Sequence, residues 1–371
     1  MQIDGKHHRS IWIDPVTAEL RYIDQTHLPH HVDIRKLADL ESALEAIRNM
    51  RVRGAPLIGA TAAHAIALVL ARDPSDAALE NAARELLATR PTAVNLRWAI
   101  NRMIDAVGRL EPSLRADRAL AEAVAICDED VEICESIGNH GLVVLKSLAK
   151  EKANPAEPLQ VLTHCNAGWL ATVDWGTALA PIYKAHEAGV NVHVWVDETR
   201  PRNQGSSLTA FELREQGVPH TVIVDNAGGH LMQQGRVDCV IVGSDRTTAR
   251  GDVCNKIGTY LKALAAVDNG VPFYVALPMS TIDWEIRDGI NEIPIEERSV
   301  EEVRKLRGLA SDGEIAEVEI FDDRSPVANP AFDVTPARLV TGLVTEYGFC
   351  EASEVGLSDL RKRSGDYPIE R

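Results

Sequence analysis

Apolar residues recur at helical spacing through the first third of the chain. Residues 36–49 (KLADLESALEAIRN) show the pattern, and the Ala- and Leu-rich segments 55–72, 76–89 and 93–108 repeat it, with RDPSD and RPT as punctuation. A longer periodic stretch, 112–149, closes this part. Ahead of it, residues 10–23 read as a short hairpin, two β-branched or aromatic runs around a polar turn. The segment 150–158, KEKANPAEP, is charged and proline-containing, as an interdomain linker would be. It divides a helical N-terminal domain, residues 1–150, from a second domain, residues 151–371.

After it the period changes. Short apolar runs occupy 160–164, 190–198, 220–225, 238–245 and 271–278, with helical segments between them at 173–188, 206–216, 229–235 and 254–267. Strands alternating with helices at this spacing predict an α/β domain whose parallel sheet is covered on both faces. Such sheets bind ligands at the carboxyl ends of their strands, near the point where strand order reverses. The sequences at those ends are polar and glycine-rich: HCNAG at 164–168, DETRPRNQGS at 197–206, DNAGGH at 225–230 and GSDRTTARGDVCNK at 243–256. The remainder, 280–371, has an acidic run around 291–302, a final helix expected near 336–345 and a polar tail.

Composition narrows the function. With 371 residues there is material for two domains, and 45% apolar and 25% charged residues are ordinary for a globular protein. A net charge of −16 argues against nucleic-acid binding, which needs a basic footprint, and it means that any phosphorylated ligand must be met by locally gathered cations. The N-terminal MQIDGKHHRSIW lacks an apolar signal core, and no apolar run reaches 18 residues, so neither secretion nor a membrane span is expected. Six cysteines without a CxxC pair or zinc spacing suit a reducing, cytoplasmic setting and no metal site.

Four constellations carry candidate chemistry. Cys165 follows an apolar run, and the Asn-Ala-Gly after it is expected to lead into a helix whose N-terminus would favour the thiolate; a buried structural cysteine is the competing reading. Asp245 also ends a run, where desolvation would raise its pKa and suit it to proton transfer; a cap or an ion pair with Arg246 is the alternative. Asn255 and Lys256 are expected to open the next helix, capped by Asp252, as an oxygen or phosphate grip. RVRGAPLIGA at 51–60 sets arginines before a helix start, which phosphate capture needs, and RPT at 90–92 repeats the order; Arg51 reads rather as a surface ion-pair partner. Asp197 and Glu198 stand where dinucleotide folds recognise ribose, but the GxGxxG that should accompany them is absent, so no cofactor is expected. The histidine pairs at 7–8 and 30–31 lack partners at ligand spacing and read as surface residues.

RGAPLIGA, RPTAVNL, LTHCNAGWLAT, ETRPRNQGSSLTAFEL, DNAGGHLM and VGSDRTTARGDVCNKIGTY resemble, in this order, the methylthioribose-1-phosphate isomerases. These share a wider family with ribose-1,5-bisphosphate isomerases and with regulatory subunits of a translation-initiation guanine-nucleotide exchange factor. The resemblance implies a helical N-terminal domain, a Rossmann-like C-terminal domain and a homodimer. It also implies conversion of 5-methylthioribose 1-phosphate to 5-methylthioribulose 1-phosphate in methionine salvage, with 5-deoxyribose 1-phosphate as a further fitting substrate. Carried over by motif, Cys165 and Asp245 match the catalytic pair, and Arg53, Gly54, Ala55, Arg90, Gln204, Asn255 and Lys256 match substrate-binding positions. Trp169, Asn203, Ser206, Ser207, Ser244 and Cys254 depart from the expected pattern; a tryptophan beside the thiol would narrow or dry the pocket and favour an apolar substituent. A bisphosphate isomerase and a non-catalytic regulatory subunit are the rival readings.

Overall fold

The helical patterns of the first third become helices with recognisable ends. In the computed structural model, which describes residues 1–90 and 93–365, they are α1 (Leu40–Arg48), α2 (Ala55–Leu70), α3 (Asp76–Thr89), α4 (Val94–Val107) and α5 (Pro112–Glu151). Asp39 caps α1 through a reciprocal pair with Ser42, and Ser75 caps α3, so each satisfies an otherwise orphaned amide. Pro91 and Thr92, two residues of the RPT segment, lie outside the described residues. The helices enclose a core that includes Leu44, Ile47, Leu57, Ile66, Leu86, Ile100 and Met103, each almost fully buried and stabilising by roughly 2 kcal/mol. The expected hairpin forms from β1 (Ile11–Ile13) and β2 (Leu20–Asp24), and β3 (Asp33–Lys36) adds a third antiparallel strand.

The second part opens with β4 (Leu159–Thr163), β5 (Val192–Asp197), β6 (His220–Ile223) and β7 (Cys239–Val242). Next come β8 (Arg246–Thr248), β9 (Val253–Lys256) and β10 (Phe273–Ala276). The last strands are β11 (Lys305–Leu309), β12 (Ile315–Glu319), β13 (Phe332–Thr335), β14 (Gly342–Thr345) and β15 (Gly348–Cys350). Seven of them form the main sheet in the order β15-β14-β10-β7-β4-β5-β6, parallel except for the β14–β15 pair. Strand order therefore reverses between β4 and β7, the crevice where doubly wound sheets bind ligands. The near-continuous burial of β4, β5, β7 and β10 reflects layers on both faces. Helices α6 (Ala180–Glu187), α7 (Ala210–Glu215), α8 (Ala227–Gln233) and α9 (Thr259–Asp268) connect the strands.

A second, smaller sheet stands beside the carboxyl ends, joining β8, β9 and β13, with Ile282–Asp283 at its edge. A protruding hairpin of β11 and β12 follows the acidic run.

Three expectations need correction. Asn255 and Lys256 do not open a helix: they end β9, and α9 starts only at Thr259, after Gly258 turns the chain at φ 102°. Asp252 caps no helix there, but accepts the amides of Gly289 at 3.1 Å and Ala337 at 2.9 Å. Residues 336–345 hold a 3-10 turn and β14 rather than the final helix, which is α10 (Glu354–Ser364), capped by Ser353; Leu343 and Val344 are apolar positions that the sheet buries on its two faces.

Candidate active site at the switch point of the sheet

The crevice between β4 and β7 opens into a pocket that collects all nine sequence-predicted site residues. Arg53, Gly54, Ala55, Arg90, Cys165, Gln204, Asp245, Asn255 and Lys256 line it together. His164, Asn166, Ala167, Thr177, Pro278 and Phe332 complete much of the wall.

Cys165 follows β4 in a left-handed conformation, φ 67°, which a residue with a β-carbon adopts only when its surroundings hold it there. Three bonds do so. The Cys165 amide donates to Thr199 Oγ1 at 2.8 Å, and Thr209 Oγ1 donates to the Cys165 carbonyl at 2.7 Å. The thiol donates to Gln204 Oε1 at 3.4 Å. Gln204 is placed by the turn after β5, where Gly205 begins a short π-helix (Gly205–Thr209); a β-carbon at Gly205 would fall 1.7 Å from the Asp197 carbonyl. The helix expected directly after Cys165 is absent: a 3-10 turn, Trp169–Ala171, intervenes, and α6 starts at Ala180. The Asn-Ala-Gly after Cys165 therefore supplies no helix N-terminus to the thiol.

Arg53 reaches this turn from the helical part of the chain. Its guanidinium donates to both Asn166 Oδ1 and the Asn166 carbonyl, the latter at 2.6 Å. Asn166 is oriented in turn by Glu212, which accepts its side-chain amide at 2.8 Å. The same buried carboxylate accepts the Trp169 and Leu170 amides at 2.9 and 3.1 Å and the Tyr183 hydroxyl at 2.7 Å. Burial outweighs these bonds and holds the Glu212 carboxyl above its ordinary range. Gly54 makes the approach possible: at φ 98° its absent β-carbon would lie 2.3 Å from the Ala171 carbonyl oxygen.

Asp245 stands just beyond β7, its amide donating to the Cys254 carbonyl at 3.0 Å. That bond ties the end of β7 to β9, which delivers Asn255 and Lys256. Lys256 is buried, with its ammonium 4.8 Å from the centre of the Phe332 ring. Asn255 is fixed by a 3.0 Å bond to Thr259 Oγ1. Arg90 enters from the end of α3 and pairs with Glu296 at 2.8 Å. Arg51 is an ion-pair partner away from the pocket wall, as expected, but not a purely surface one: it pairs with Glu45 at 2.8 Å and with the fully buried Asp24 at 3.5 Å.

Burial pushes both reacting candidates in one direction. It raises the Asp245 carboxyl, against the pull of Lys256, Arg90 and Arg53. It raises the Cys165 thiol, against Arg53 and Lys256. It lowers the Lys256 ammonium, which Cys165 and Asp245 support. Three cations thus surround one thiol and one carboxyl, inside a chain that is strongly acidic as a whole.

Sequence reasoning missed His164, Asn166 and Glu212, although the first two lie in the HCNAG motif. It also misplaced Trp169, which is fully buried in the core with Leu170, Leu179 and Tyr183 and does not line the pocket. Asp197, the candidate ribose ligand, instead pairs with His164 at 2.8 Å and Lys262 at 3.2 Å. Among the described residues, His164, Asp197 and Asp225 bring three metal-ligand groups together. Asp225 is engaged by the amides of Thr199 and Arg200 at 2.7 and 2.8 Å, and a lysine already occupies Asp197, so the cluster fits internal ion pairing better than a metal.

The doubly wound sheet and its preceding helices define a class: the chain belongs to the initiation factor 2 subunit family, whose profile matches residues 51–352. Within it, the chain is 61% identical to a methylthioribose-1-phosphate isomerase of Methylorubrum extorquens, over 97% of this chain and 98% of that one. It is 60% identical to the protein of the same name from Rhodospirillum rubrum, over 100% and 95%. Among solved structures it resembles the 5-methylthioribose 1-phosphate isomerase of Pyrococcus horikoshii OT3, with a TM-score of 0.81, 39% identity and 96% of each chain covered. A second solved structure, of the translation initiation factor eIF-2B, subunit delta, from A. fulgidus, matches with a TM-score of 0.78 and 40% identity, covering 96% of this chain and 100% of that one.

Proposed function

We propose that this protein is an aldose–ketose isomerase converting 5-methylthioribose 1-phosphate to 5-methylthioribulose 1-phosphate, a step of methionine salvage. The observation that carries the reading is the meeting, in one pocket, of the Cys165 thiol and Asp245 carboxyl amid Arg53, Arg90 and Lys256. The cations suit the phosphate, with Asn255, Gln204 and the backbone at Gly54 and Ala55 as polar partners for the sugar.

The phosphate on the anomeric carbon prevents simple opening to a free aldehyde. The C1–O4 bond must break as O4 gains a proton, the hydrogen on C2 passes to C1, and the 2-hydroxyl gives up its proton to become the ketone. Asp245, with its raised pKa, suits protonation of O4. Cys165 is the base at C2 if the hydrogen moves as a proton, or a polarising neighbour if it moves as a hydride. Exclusion of water once substrate fills the pocket would favour either route.

A pocket beside Asp245 has an apolar wall of Ala55, Ile58, Ala93, Ile293, Pro294 and Phe332, and its two arginines, Arg90 and Arg246, are already paired with Glu296 and Asp283; that wall supports a methylthio or deoxy substituent over the second phosphate of a bisphosphate. The presence of both Cys165 and Asp245 supports an enzyme over a regulatory subunit. The described cysteines are all free and buried, in keeping with a cytoplasmic protein, and we read it as a homodimer, which light scattering on the purified protein tests. The activity is tested with 5-methylthioribose 1-phosphate: the wild type yields the ketose, while Cys165→Ser and Asp245→Asn lose about 100-fold or more. No ketose from the wild type, or full activity in both variants, overturns the reading.

A further inference from the structure

At the wall of the pocket, His164 anchors a buried group of charges to which the proposed mechanism gives no part. His164, the residue before Cys165, is 1% exposed. Its Nδ1 is 2.8 Å from Asp197 Oδ2, and its Nε2 is 2.8 Å from the Ile257 carbonyl oxygen. A carbonyl only accepts, so Nε2 carries a proton. Lys262 lies 3.2 Å from the same Asp197 oxygen. The ring therefore bridges two elements, spanning from the end of β5 to the turn after β9. Asp225, within 4.8 Å of the ring, and Asp333 on β13 are further charges facing it; the Asp333 carboxyl accepts the Gly258 and Tyr260 amides at 2.7 and 3.1 Å.

Glycine at 258 gives an independent sign that the ring and this turn are fitted to one another. A β-carbon there would come 3.1 Å from both Cε1 and Nε2 of His164, and the backbone is at φ 102°. The turn thus closes over the imidazole, with Ile257 supplying the accepting carbonyl and Gly258 a bare face. One residue upstream of Ile257 is Lys256, and one residue downstream of His164 is Cys165.

We propose that His164 is a positioning residue which, by bridging Asp197 and the Ile257 carbonyl, fixes the Cys165 turn relative to the strand end that carries Asn255 and Lys256. It touches no reacting atom and acts through its two neighbours. Placement errors of about 1 Å at a reacting group cost roughly 100-fold in rate. Ground-state grip on the phosphate is shared with Arg53 and Arg90, which other elements hold, so the bridge governs turnover more than affinity.

This inference rests on the isomerase reading, and two substitutions separate the two. In His164→Asn the side-chain amide still reaches Asp197 but falls short of Ile257; in His164→Gln the longer arm reaches the carbonyl. With wild-type turnover of 5-methylthioribose 1-phosphate as the reference, His164→Asn is expected to lose about 100-fold in kcat with KM within about threefold. His164→Gln is expected to recover to within about tenfold of wild type, with both variants melting near the wild-type temperature. Wild-type kcat in His164→Asn, equal loss in both variants, or a change confined to KM overturns the proposal. Nitrogen-detected NMR of the wild-type imidazole gives an arm free of activity and of variant folding: a proton on His164 Nε2, hydrogen-bonded to the Ile257 carbonyl, is expected, and a bare Nε2 overturns the bridge. A wild type with no isomerase activity sinks the function and leaves the NMR result to judge the bridge.

Discussion

A β-carbon built at Gly168 falls 1.8 Å from Glu212 Oε2, closer than any real contact permits. Glycine stands there because the carboxylate that orients Asn166, and through it Arg53, passes directly over the backbone. Gly168→Ala must displace Glu212 from its four donors. The expected result is a loss of about 2–3 kcal/mol in stability and a KM raised about tenfold, because Arg53 loses its anchor. Thermal melting and steady-state kinetics on the same preparation check both parts.

The thiol gives a second prediction. Burial holds Cys165 above the ordinary thiol range, while Arg53 and Lys256 pull it back down. Only the thiolate is alkylated quickly. The rate with iodoacetamide should therefore still be climbing above about pH 8.5, where an ordinary thiol is half ionised. Lys256→Met should shift that climb to higher pH still, with Cys165→Ser as the blank for the other buried cysteines.

Asp245 links activity to stability. Its carboxyl is raised by burial in the folded chain, so between the ordinary carboxylate range and the raised value the folded state holds more protons than the unfolded one. Stability consequently falls as pH rises through that window. Asp245→Asn removes the penalty: it should melt above wild type near about pH 8, and the difference should close toward about pH 4. Melting curves across that range, set beside the variant's lost activity, test the claim.

Trp169, which its place after HCNAG makes a candidate for shaping the pocket, instead fills the core, with its Nε1 lacking a hydrogen-bond partner among the described residues. Trp169→Ala should cost about 4 kcal/mol through the cavity it leaves, and Trp169→Phe less than about 1.5 kcal/mol. Folded protein of either variant should keep the wild-type KM. A KM change with unaltered melting would return the ring to the pocket.

These residues show what the sequence makes legible. Strand runs such as 160–164 and 238–245 read clearly because sheet strands buried on both faces carry little but apolar side chains, and their ends point to Cys165 and Asp245 directly. The start of α9 is harder to read, because NKIGTYLKALAA is helical in composition throughout, and only the glycine at 258 marks the turn that leaves Asn255 and Lys256 on a strand. Cys165 reads as the start of a helix because Asn-Ala-Gly suits such a position; its left-handed backbone depends on Thr199 and Thr209, more than 30 residues away. Glu212 carries no local signal at all. It sits in an ordinary amphipathic helix, and its role exists only once Asn166, Trp169 and Tyr183 fold around it.

Helix α5, 40 residues and about 60 Å long, packs against α2 and α4 on one side and against α6 and β14 on the other. Gly141 lets it press onto α6, where a β-carbon would come within 2.3 Å of Pro181 Cγ. It is an axle common to both parts of the chain, and an axle does not bend at its ends. The exposed stretch 153–157 beyond it therefore gives little freedom to swing the helices away from the sheet. Admission of a ligand is then expected of smaller pieces at the mouth, such as residues 301–308, a helical turn running into β11 beside Arg53 and Gln204, and not of a swing of the helices as one mass.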